Sequence, residues 1–352
     1  MRRPSPLPTW DEITSLAADH GIEHLGVAPA DVLRRARDVL LERRDAGLHA
    51  DMGFTYRNPE RSTDPRRAVE GARSIIVAAR PYRAVHEPDR PPGAQARVAR
   101  YAWVDHYEPL RTGLRALATR IKQADHRAVA FADDNSVVDR EVAYLGGLGW
   151  FGKNANILLP GAGSYFVLGS IITTAEYPVS VPVTDGCGSC RRCLDGCPTG
   201  AIVAPGVVDA NRCLAWLVQR PGSFPVEYRE ALGDRLYGCD DCQEVCPPAV
   251  RLGDRHRVDI AGAPEPPQAW VDVLDLLDAT DDELLERHGR WYLADRDPRW
   301  LRRNALVVLG NVADGDDDRT RRTIERYRSG DDELLCEHAE WAARRLTTRV
   351  RA

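Results

Sequence analysis

Apolar residues recur at helical and strand spacings through the first half of the chain. Four of them, from Leu110 to Ile121, are separated by four, three and four positions, which predicts a helix over 109–124. The apolar segment 156–174 is interrupted by Pro160-Gly161-Ala162-Gly163, which predicts two paired strands joined at that turn. Further helices are predicted at 11–20, 31–46 and 138–145, and further strands at 74–79 and 128–132. Such alternation is typical of layered α/β or α+β folds, and periodicity alone leaves both open.

The end of the chain shows only helical spacing. Four apolar residues from Leu301 to Val312 are spaced by four, three and four, and four from Leu335 to Leu346 repeat the spacing. Two similar helices in tandem predict a small helical-repeat module.

Two segments rich in proline divide the chain. One connector runs over 178–185 and the other over 262–267. We therefore predict three domains, at 1–183, 184–262 and 263–352. A chain of 352 residues is long enough for each domain to have its own core.

Charge and hydropathy exclude some classes of protein. The formal net charge is −5, so the chain as a whole is not a basic nucleic-acid clamp. The longest apolar stretch lies near 165–174 and is shorter than the roughly 18 to 20 residues that a membrane helix needs. The first residues carry charge without the apolar stretch of a signal peptide, so we expect a cytoplasmic protein with no membrane partner.

The cysteines carry the most specific signal. Cys187, Cys190, Cys193 and Cys197 are separated by two, two and three residues, and Pro198 follows. This is the run of bacterial ferredoxins, in which three thiolates hold one [4Fe–4S] cluster and the fourth ligates a second cluster.

A second run contains Cys239, Cys242 and Cys246 and also ends in proline, but it lacks the first cysteine of the pattern. Cys213 lies upstream and is available to replace it. Eight thiolates match two [4Fe–4S] clusters. We predict Cys187, Cys190, Cys193 and Cys246 for cluster 1, and Cys197, Cys213, Cys239 and Cys242 for cluster 2.

A pair of structural zinc sites is the alternative for these eight residues. Zinc ribbons use separated Cys-x2-Cys pairs and need neither a third cysteine nor the cysteine–proline endings, so the spacing favours iron–sulfur clusters. The ninth cysteine, Cys336, lies on a C-terminal helix, where a small buried apolar residue is the simplest interpretation.

Several weaker features have competing interpretations. Asp133 and Asp134 follow a predicted strand, where one caps the next helix and the other is a candidate proton donor. Gly147-Leu148-Gly149-Trp150-Phe151-Gly152 matches a dinucleotide fingerprint, but a strand rather than a helix is predicted after it. Lys153 follows these glycines and is either a surface residue or a contact in the site. Three arginines beside Trp300 either bind nucleic-acid phosphate or form a solvated face: Arg299, Arg302 and Arg303.

Taken in order, the motifs resemble epoxyqueuosine reductases over nearly the whole chain. The segments that carry the resemblance are Arg66-x5-Gly71-Ala72-Arg73-Ser74-Ile75, Asp133-x6-Arg140, Gly147 to Asn154, the first cysteine run, Tyr237 to Pro247 and Arg303-Asn304-Ala305-Leu306. Members of that family are cobalamin-dependent iron–sulfur enzymes. They remove the epoxide oxygen of epoxyqueuosine at wobble position 34 of tRNA, which completes queuosine synthesis.

The resemblance implies an α+β fold with three parts. These are a nitroreductase-like cobalamin domain, a two-cluster ferredoxin domain and C-terminal HEAT-like helical repeats. It implies that Asp133 is the catalytic acid, and it implies cobalamin contacts at Arg61, Arg140, Lys153, Asn154 and Asp240. The expected partners are tRNAs with GUN anticodons (those for Asp, Asn, His and Tyr) and an external low-potential electron donor, and we expect a monomer.

Two segments depart from the family pattern. Val104-Asp105-His106-Tyr107 is one residue shorter than the usual sequence, and Ser136 and Asp139 replace a common proline and glutamate. These changes lie in the predicted cofactor domain. They support a second hypothesis, in which the chain is a corrinoid iron–sulfur reductase that acts on a small molecule. The third hypothesis is a non-catalytic ferredoxin-type electron carrier.

Overall fold

The computed structural model describes residues 5–252 and 255–350 of the chain. The helices of the first half are α1 (Trp10–Asp19), α2 (Arg34–Asp45), α3 (Gly53–Tyr56), α4 (Pro59–Ser62), α5 (Pro65–Ala68), α6 (Tyr107–Lys122) and α7 (Asp139–Leu145). Its strands are β1 (His24–Pro29), β2 (Ser74–Pro81), β3 (Gln95–Val98), β4 (Ala128–Ala132), β5 (Trp150–Phe151), β6 (Ile157–Leu158) and β7 (Phe166–Thr173).

The second half is mainly helical. Its helices are α8 (Arg192–Asp195), α9 (Leu214–Leu217), α10 (Val226–Leu232), α11 (Asp241–Glu244), α12 (Pro247–Leu252), α13 (Val273–Asp278), α14 (Asp281–His288), α15 (Arg299–Val312), α16 (Asp318–Arg328) and α17 (Glu333–Val350). Its strands are β8 (Ile202–Ala204), β9 (Val207–Val208), β10 (Arg235–Tyr237) and β11 (Trp270–Asp272). No helix within the described ranges combines the length and the apolar character that crossing a membrane requires.

A four-stranded sheet in the order β1-β2-β7-β4 forms the centre of the first half. All of its pairings are antiparallel, which decides between the two predicted fold classes in favour of α+β. Side chains of β2 alternate between two cores because successive residues of a strand point to opposite faces. Ile76 packs in the core that contains Leu110 and Leu114 of α6, and Ile75 packs in the opposite core, with Val142 of α7.

The predicted helices and strands of this half are present, with ends that differ by at most three residues. Thr9 and Glu12 form a capping box at the start of α1, which places that start one residue earlier than predicted. The predicted pairing within 156–174 is wrong. Strand β6 pairs with β5, whereas β7 inserts between β2 and β4, because its eight mostly buried residues need partners on both edges.

A second sheet draws one strand from each of the segments 1–183, 184–262 and 263–352. Strand β3 lies in the middle, parallel to β10 and antiparallel to β11. The apolar core beneath it contains Val98 and Trp103 together with Leu236 and the C-terminal helices. The last ninety residues therefore share a core with a segment near residue 100.

Arginines of α15 hold the C-terminal helices against the middle of the chain. The Arg303 side chain is fully buried and donates to the backbone carbonyls of Arg220, Gly222 and Leu217 at 2.7–2.9 Å. Its neighbour Asn304 donates to the carbonyls of Val218 and Leu236 at 2.8 and 3.1 Å.

This arrangement overturns both predictions for Arg303, the third of the arginines beside Trp300. Arg303 is neither a phosphate contact nor part of a solvated face. Arg299 pairs with Asp332, and Arg302 pairs with Asp281. Helical spacing identified the apolar face of α15, but it does not reveal carbonyl groups that another segment brings to the same face.

Replacing Arg303 with Ala should destabilise the fold by about 3 kcal/mol, because three buried carbonyls lose their donors and a cavity is left. The exposed Arg344→Ala variant is the control and should change stability by less than about 0.5 kcal/mol. Urea unfolding followed by circular dichroism measures both. Equal stability of the two variants would contradict the anchoring role of Arg303.

Candidate functional site

Three segments bring the eight cysteines of the two runs together. The first run surrounds helix α8, the second surrounds α11, and Cys213 lies at the N-cap of α9. Burial raises the pKa of Cys193, and the neighbouring thiols of Cys246, Cys187 and Cys190 raise it further.

The second group of cysteines lies around Cys242. Burial raises the pKa of its thiol, and Cys213, Asp240, Cys197 and Cys193 contribute. Cys193 belongs to the first predicted ligand set, so the two groups are close enough to influence each other. Cys239 is partly buried; burial raises the pKa of its thiol, and the nearby Asp241 carboxylate raises it further.

These eight cysteines are suited to bind metal ions. Thiols with raised pKa values are neutral until a cation displaces their protons, and a buried cluster of thiolates requires such a cation. Cys336 lies apart from the eight: its thiol donates to the carbonyl of Gly330. It is only partly buried, so the expectation of a buried apolar residue describes it incompletely.

Lys153 and Asn154 hold the backbone of the cysteine runs. The Lys153 ammonium donates to the carbonyls of Gly188 and Cys190 at 2.6 and 2.9 Å. The buried Asn154 amide donates to the carbonyl of Cys242 at 3.3 Å. Lys153 thus uses two of its three donors on the first cysteine loop, and the alternative of a free surface residue is wrong. A contact of either side chain with cobalamin stays a prediction.

Asp240 follows Cys239 in the second cysteine run and is buried close to the end of β3. Its carboxylate accepts the backbone N–H of Arg100 at 2.8 Å, the guanidinium of Arg100 at 3.4 Å and the amide of Gln243 at 3.1 Å. Burial raises the pKa of Asp240, and Arg100 opposes that shift. Its hydrogen bonds in this structure are to protein groups, and a cobalamin contact stays a prediction.

Asp133 follows β4 directly and adopts a left-handed backbone conformation with φ of +56°. Asp133 is exposed at the surface. The protein around it nevertheless removes part of the water from its carboxyl, and this desolvation raises the pKa of the carboxyl. Arg111 opposes the rise, while Asp105 and Asp134 add to it. A carboxylic acid with a raised pKa keeps its proton to higher pH, which suits a proton donor.

The neighbours of Asp133 include two tyrosines. Burial raises the pKa of Tyr107, with Asp133 as the next largest cause. Burial also raises the pKa of Tyr237 to about 12, and Asp133 contributes. Tyr237 ends β10, two residues before Cys239 in the chain.

Asp134 does not cap helix α7, so that interpretation is wrong. Its Oδ1 accepts the backbone N–H of Ser136 at 2.7 Å and closes a turn in the loop, while the N-cap of α7 is Val138. Ser136 in turn accepts a hydrogen bond from Arg61 at 3.3 Å. Arg61 therefore lies against the loop that carries Asp133.

Arg140 connects the Asp133 region to the cysteines. Burial raises the pKa of Asp139, of Tyr107 and of the Cys213 thiol, and the Arg140 guanidinium opposes each rise, so all three lie within its electrostatic range. Asp139 itself is enclosed by protein, and its Oδ1 has no hydrogen-bond partner among the described residues.

The sequence did not identify several neighbours of Asp133 as site residues, among them Arg111, Tyr107 and Tyr237. Tyr107 and Tyr237 both stand in motifs noted from the sequence. The link of Tyr237 to Asp133 joins residues far apart in the chain, for which there is no local signal.

Comparisons with known proteins address the whole chain. Residues 186–249 match the family model described as "4Fe-4S double cluster binding domain", and residues 62–134 match that described as "Epoxyqueuosine reductase QueG, DUF1730". The chain is 32% identical to the epoxyqueuosine reductase of Lactococcus garvieae, over 97% of each chain. It is 33% identical to that of Xanthomonas campestris, also over 97% of each.

Solved structures agree with the sequence relatives. A crystal structure of epoxyqueuosine reductase with an epoxyqueuosine-modified tRNA-Tyr stem loop has a TM-score of 0.86 and 30% identity, covering 96% of this chain and 89% of the other. The Bacillus subtilis structure, whose catalytic aspartate loop is swung out of the active site, has a TM-score of 0.85 and 30% identity, covering 96% and 90%. The eight clustered cysteines, the exposed aspartate after β4 and these full-length similarities lead to one conclusion: the chain belongs to the epoxyqueuosine reductase family.

Proposed function

We propose that this chain reduces epoxyqueuosine to queuosine at wobble position 34 of tRNA, the last step of queuosine biosynthesis. The observation that carries the proposal is the polar cluster around Asp133. The full-length similarity of the chain to known reductases supports it. In this cluster Asp133 influences the pKa of Tyr237, and Arg140 influences the pKa of the Cys213 thiol. Opening an epoxide and removing its oxygen as water consumes two electrons and two protons, so a site for this reaction must deliver both.

The two groups of cysteines would deliver the electrons. We assign one [4Fe–4S] cluster to Cys187, Cys190, Cys193 and Cys246, and the other to Cys197, Cys213, Cys239 and Cys242. Support comes from the thiols that influence one another in each group. A chain with two adjacent clusters passes electrons singly, from an external low-potential donor to the site.

Cobalamin fits the region between these groups and Asp133. A corrin ring carries many amide groups, and buried polar atoms without a partner among the described residues suit a ligand of that kind. Asp139 Oδ1 and His106 Nε2 are two such atoms. Bound cobalamin would supply electrons, through its cobalt, to an epoxide carbon. We assign its contacts to Arg61, Arg140, Lys153, Asn154 and Asp240.

Asp133 gives a proton to the epoxide oxygen as the carbon–oxygen bond breaks. Asp133 stands in a left-handed backbone conformation at the start of the loop after β4, and burial raises the pKa of its carboxyl, which favours the acid form. Arg61 supports this loop through Ser136. Tyr107 and Tyr237 line the same region in their neutral form, because the pKa of each phenol is raised.

The substrate of this chain is then a tRNA with a GUN anticodon, one of those for Asp, Asn, His and Tyr. The relative solved with a modified tRNA-Tyr stem loop supports that assignment. The protein acts as a cytoplasmic monomer. Its parts are a nitroreductase-like cobalamin domain at 1–183, a two-cluster domain at 184–262 and HEAT-like repeats at 263–352.

Replacing Asp133 with Asn should abolish queuosine formation, with a loss of about 10²- to 10⁴-fold, because the amide cannot give up a proton to the departing oxygen. Nucleoside mass spectrometry of epoxyqueuosine-containing tRNA measures the product after anaerobic incubation. Asp134→Asn is the matched control, since its side-chain oxygen still accepts the Ser136 N–H. Iron and cobalamin content should match the wild type in both. Wild-type turnover by the Asp133→Asn variant would refute the assignment of the proton donor.

The reaction rate should fall as pH rises through the raised pKa of Asp133, because only the protonated carboxyl donates. Arg111 lowers that pKa, so Arg111→Gln should move the descending limb of the profile to higher pH. Single-turnover rates with excess reductant, measured across pH, test this. Arg115→Gln, on the same helix and paired with Glu108, should leave the limb in place. A limb that does not move in Arg111→Gln would contradict the role of Asp133.

Replacing Cys213 with Ala should remove one cluster, so that iron falls from about eight to about four per chain. Cys336→Ala is the control and should keep about eight, since its thiol lies outside both groups. Iron analysis of anaerobically reconstituted protein, with circular dichroism to verify the fold, gives the result. Eight irons in a folded Cys213→Ala variant would show that the ligand assignment is incorrect.

A further inference from the structure

Two histidines and a glutamate from distant parts of the chain meet at the start of β1. They are Glu23, His24 and His256, and one ligand atom of each lies within 4.8 Å of the others. The Nδ1 atom of His256 is 3.7 Å from a carboxylate oxygen of Glu23. The proposed reaction uses none of these residues.

The two imidazole rings meet edge to face and are not stacked. Their ring centroids are 5.0 Å apart at an interplanar angle of 61°, and the edge of Phe166 packs on His24 with centroids 5.2 Å apart. The Nε2 atom of His24 is buried and has no hydrogen-bond partner among the described residues. A buried ring nitrogen without a partner is costly unless a donor or a metal ion satisfies it.

The chemistry of the three side chains suits a cation. A neutral imidazole offers one ring nitrogen as a metal ligand. Glu23 is exposed, and its carboxylate provides the negative charge that a cation needs.

We propose that Glu23, His24 and His256 form a binding site for a divalent transition-metal ion of the zinc class, separate from the iron–sulfur clusters. Two imidazoles and one carboxylate are a ligand set that zinc accepts, with water in the remaining position. The donor set contains no sulfur, which distinguishes this site chemically from every site that the cysteines can form.

Such an ion would fasten the chain where it returns from the second cysteine run. Helix α12 begins immediately after Cys246, and His256 follows four residues after its end. Beyond it, Val258 pairs with Ala84 through a β-bridge. The ion would therefore link this returning segment to the first strand of the central sheet.

Equilibrium dialysis of the reconstituted holoenzyme against buffered micromolar Zn²⁺, followed by metal analysis, tests the proposal. The wild type should bind one zinc in addition to its iron. Zinc X-ray absorption should show only nitrogen and oxygen neighbours at about 2.0–2.1 Å, with no sulfur at about 2.3 Å. Glu23→Gln and His256→Ala should each weaken zinc binding at least about tenfold.

His86→Ala is the matched control, because His86 is an exposed histidine outside the cluster, and it should bind zinc like the wild type. Glu23→Gln changes an exposed side chain, so it keeps the test valid if His256→Ala fails to fold. Three results would overturn the proposal: no zinc beyond the iron in the wild type, sulfur among the zinc ligands, or unchanged affinity in a folded Glu23→Gln variant. With any of them, the three residues are a packing contact with a histidine–glutamate ion pair.

Discussion

The position of β3 between β10 and β11 is the constraint on which the site depends. Backbone bonds from Arg97 to Asp234 and from Ala99 to Tyr237 fix β10, and β10 leads directly into the second cysteine run. The next residue of the first half, Arg100, holds Asp240 inside that run through its backbone N–H. Both the cysteines and Tyr237 therefore take their position from one short segment of the first half.

Charged side chains reinforce this junction. Arg97 and Arg100 pair with Glu244 at 3.1 and 2.6 Å, and Arg235 pairs with Asp241 at 2.7 Å. These groups are largely buried, where desolvation offsets much of the Coulomb attraction, so the network adds little net stability. Removing one partner would leave a charge without its counterion, which is costly, and we expect the network to fix the register of the second run rather than to strengthen the fold.

The sequence was most informative where chemistry depends on local spacing. The helix of Leu110 to Ile121 and the strand at 128–132 appear as predicted, because each is determined by residues close in the chain. Local patterns failed where a distant partner decides the structure. Strand β7 pairs with β2 and β4 rather than with its neighbour β6, and Arg303 is buried because carbonyls from 217–222 meet it. The electrostatic link between Asp133 and Tyr237 is of this second kind, since 103 residues separate Asp133 from Tyr237 in the chain.

The central claim of this account is that electrons from the cysteine-bound clusters reach the epoxide through cobalamin, beside Asp133. The most direct measurement is nucleoside mass spectrometry of epoxyqueuosine-containing tRNA after anaerobic incubation with the reconstituted wild-type protein and a strong reductant, with and without cobalamin. The account predicts queuosine, one oxygen lighter than its precursor, only in the sample that contains cobalamin. Equal queuosine in both samples, or unchanged epoxyqueuosine from protein that holds cobalamin and both clusters, would contradict it.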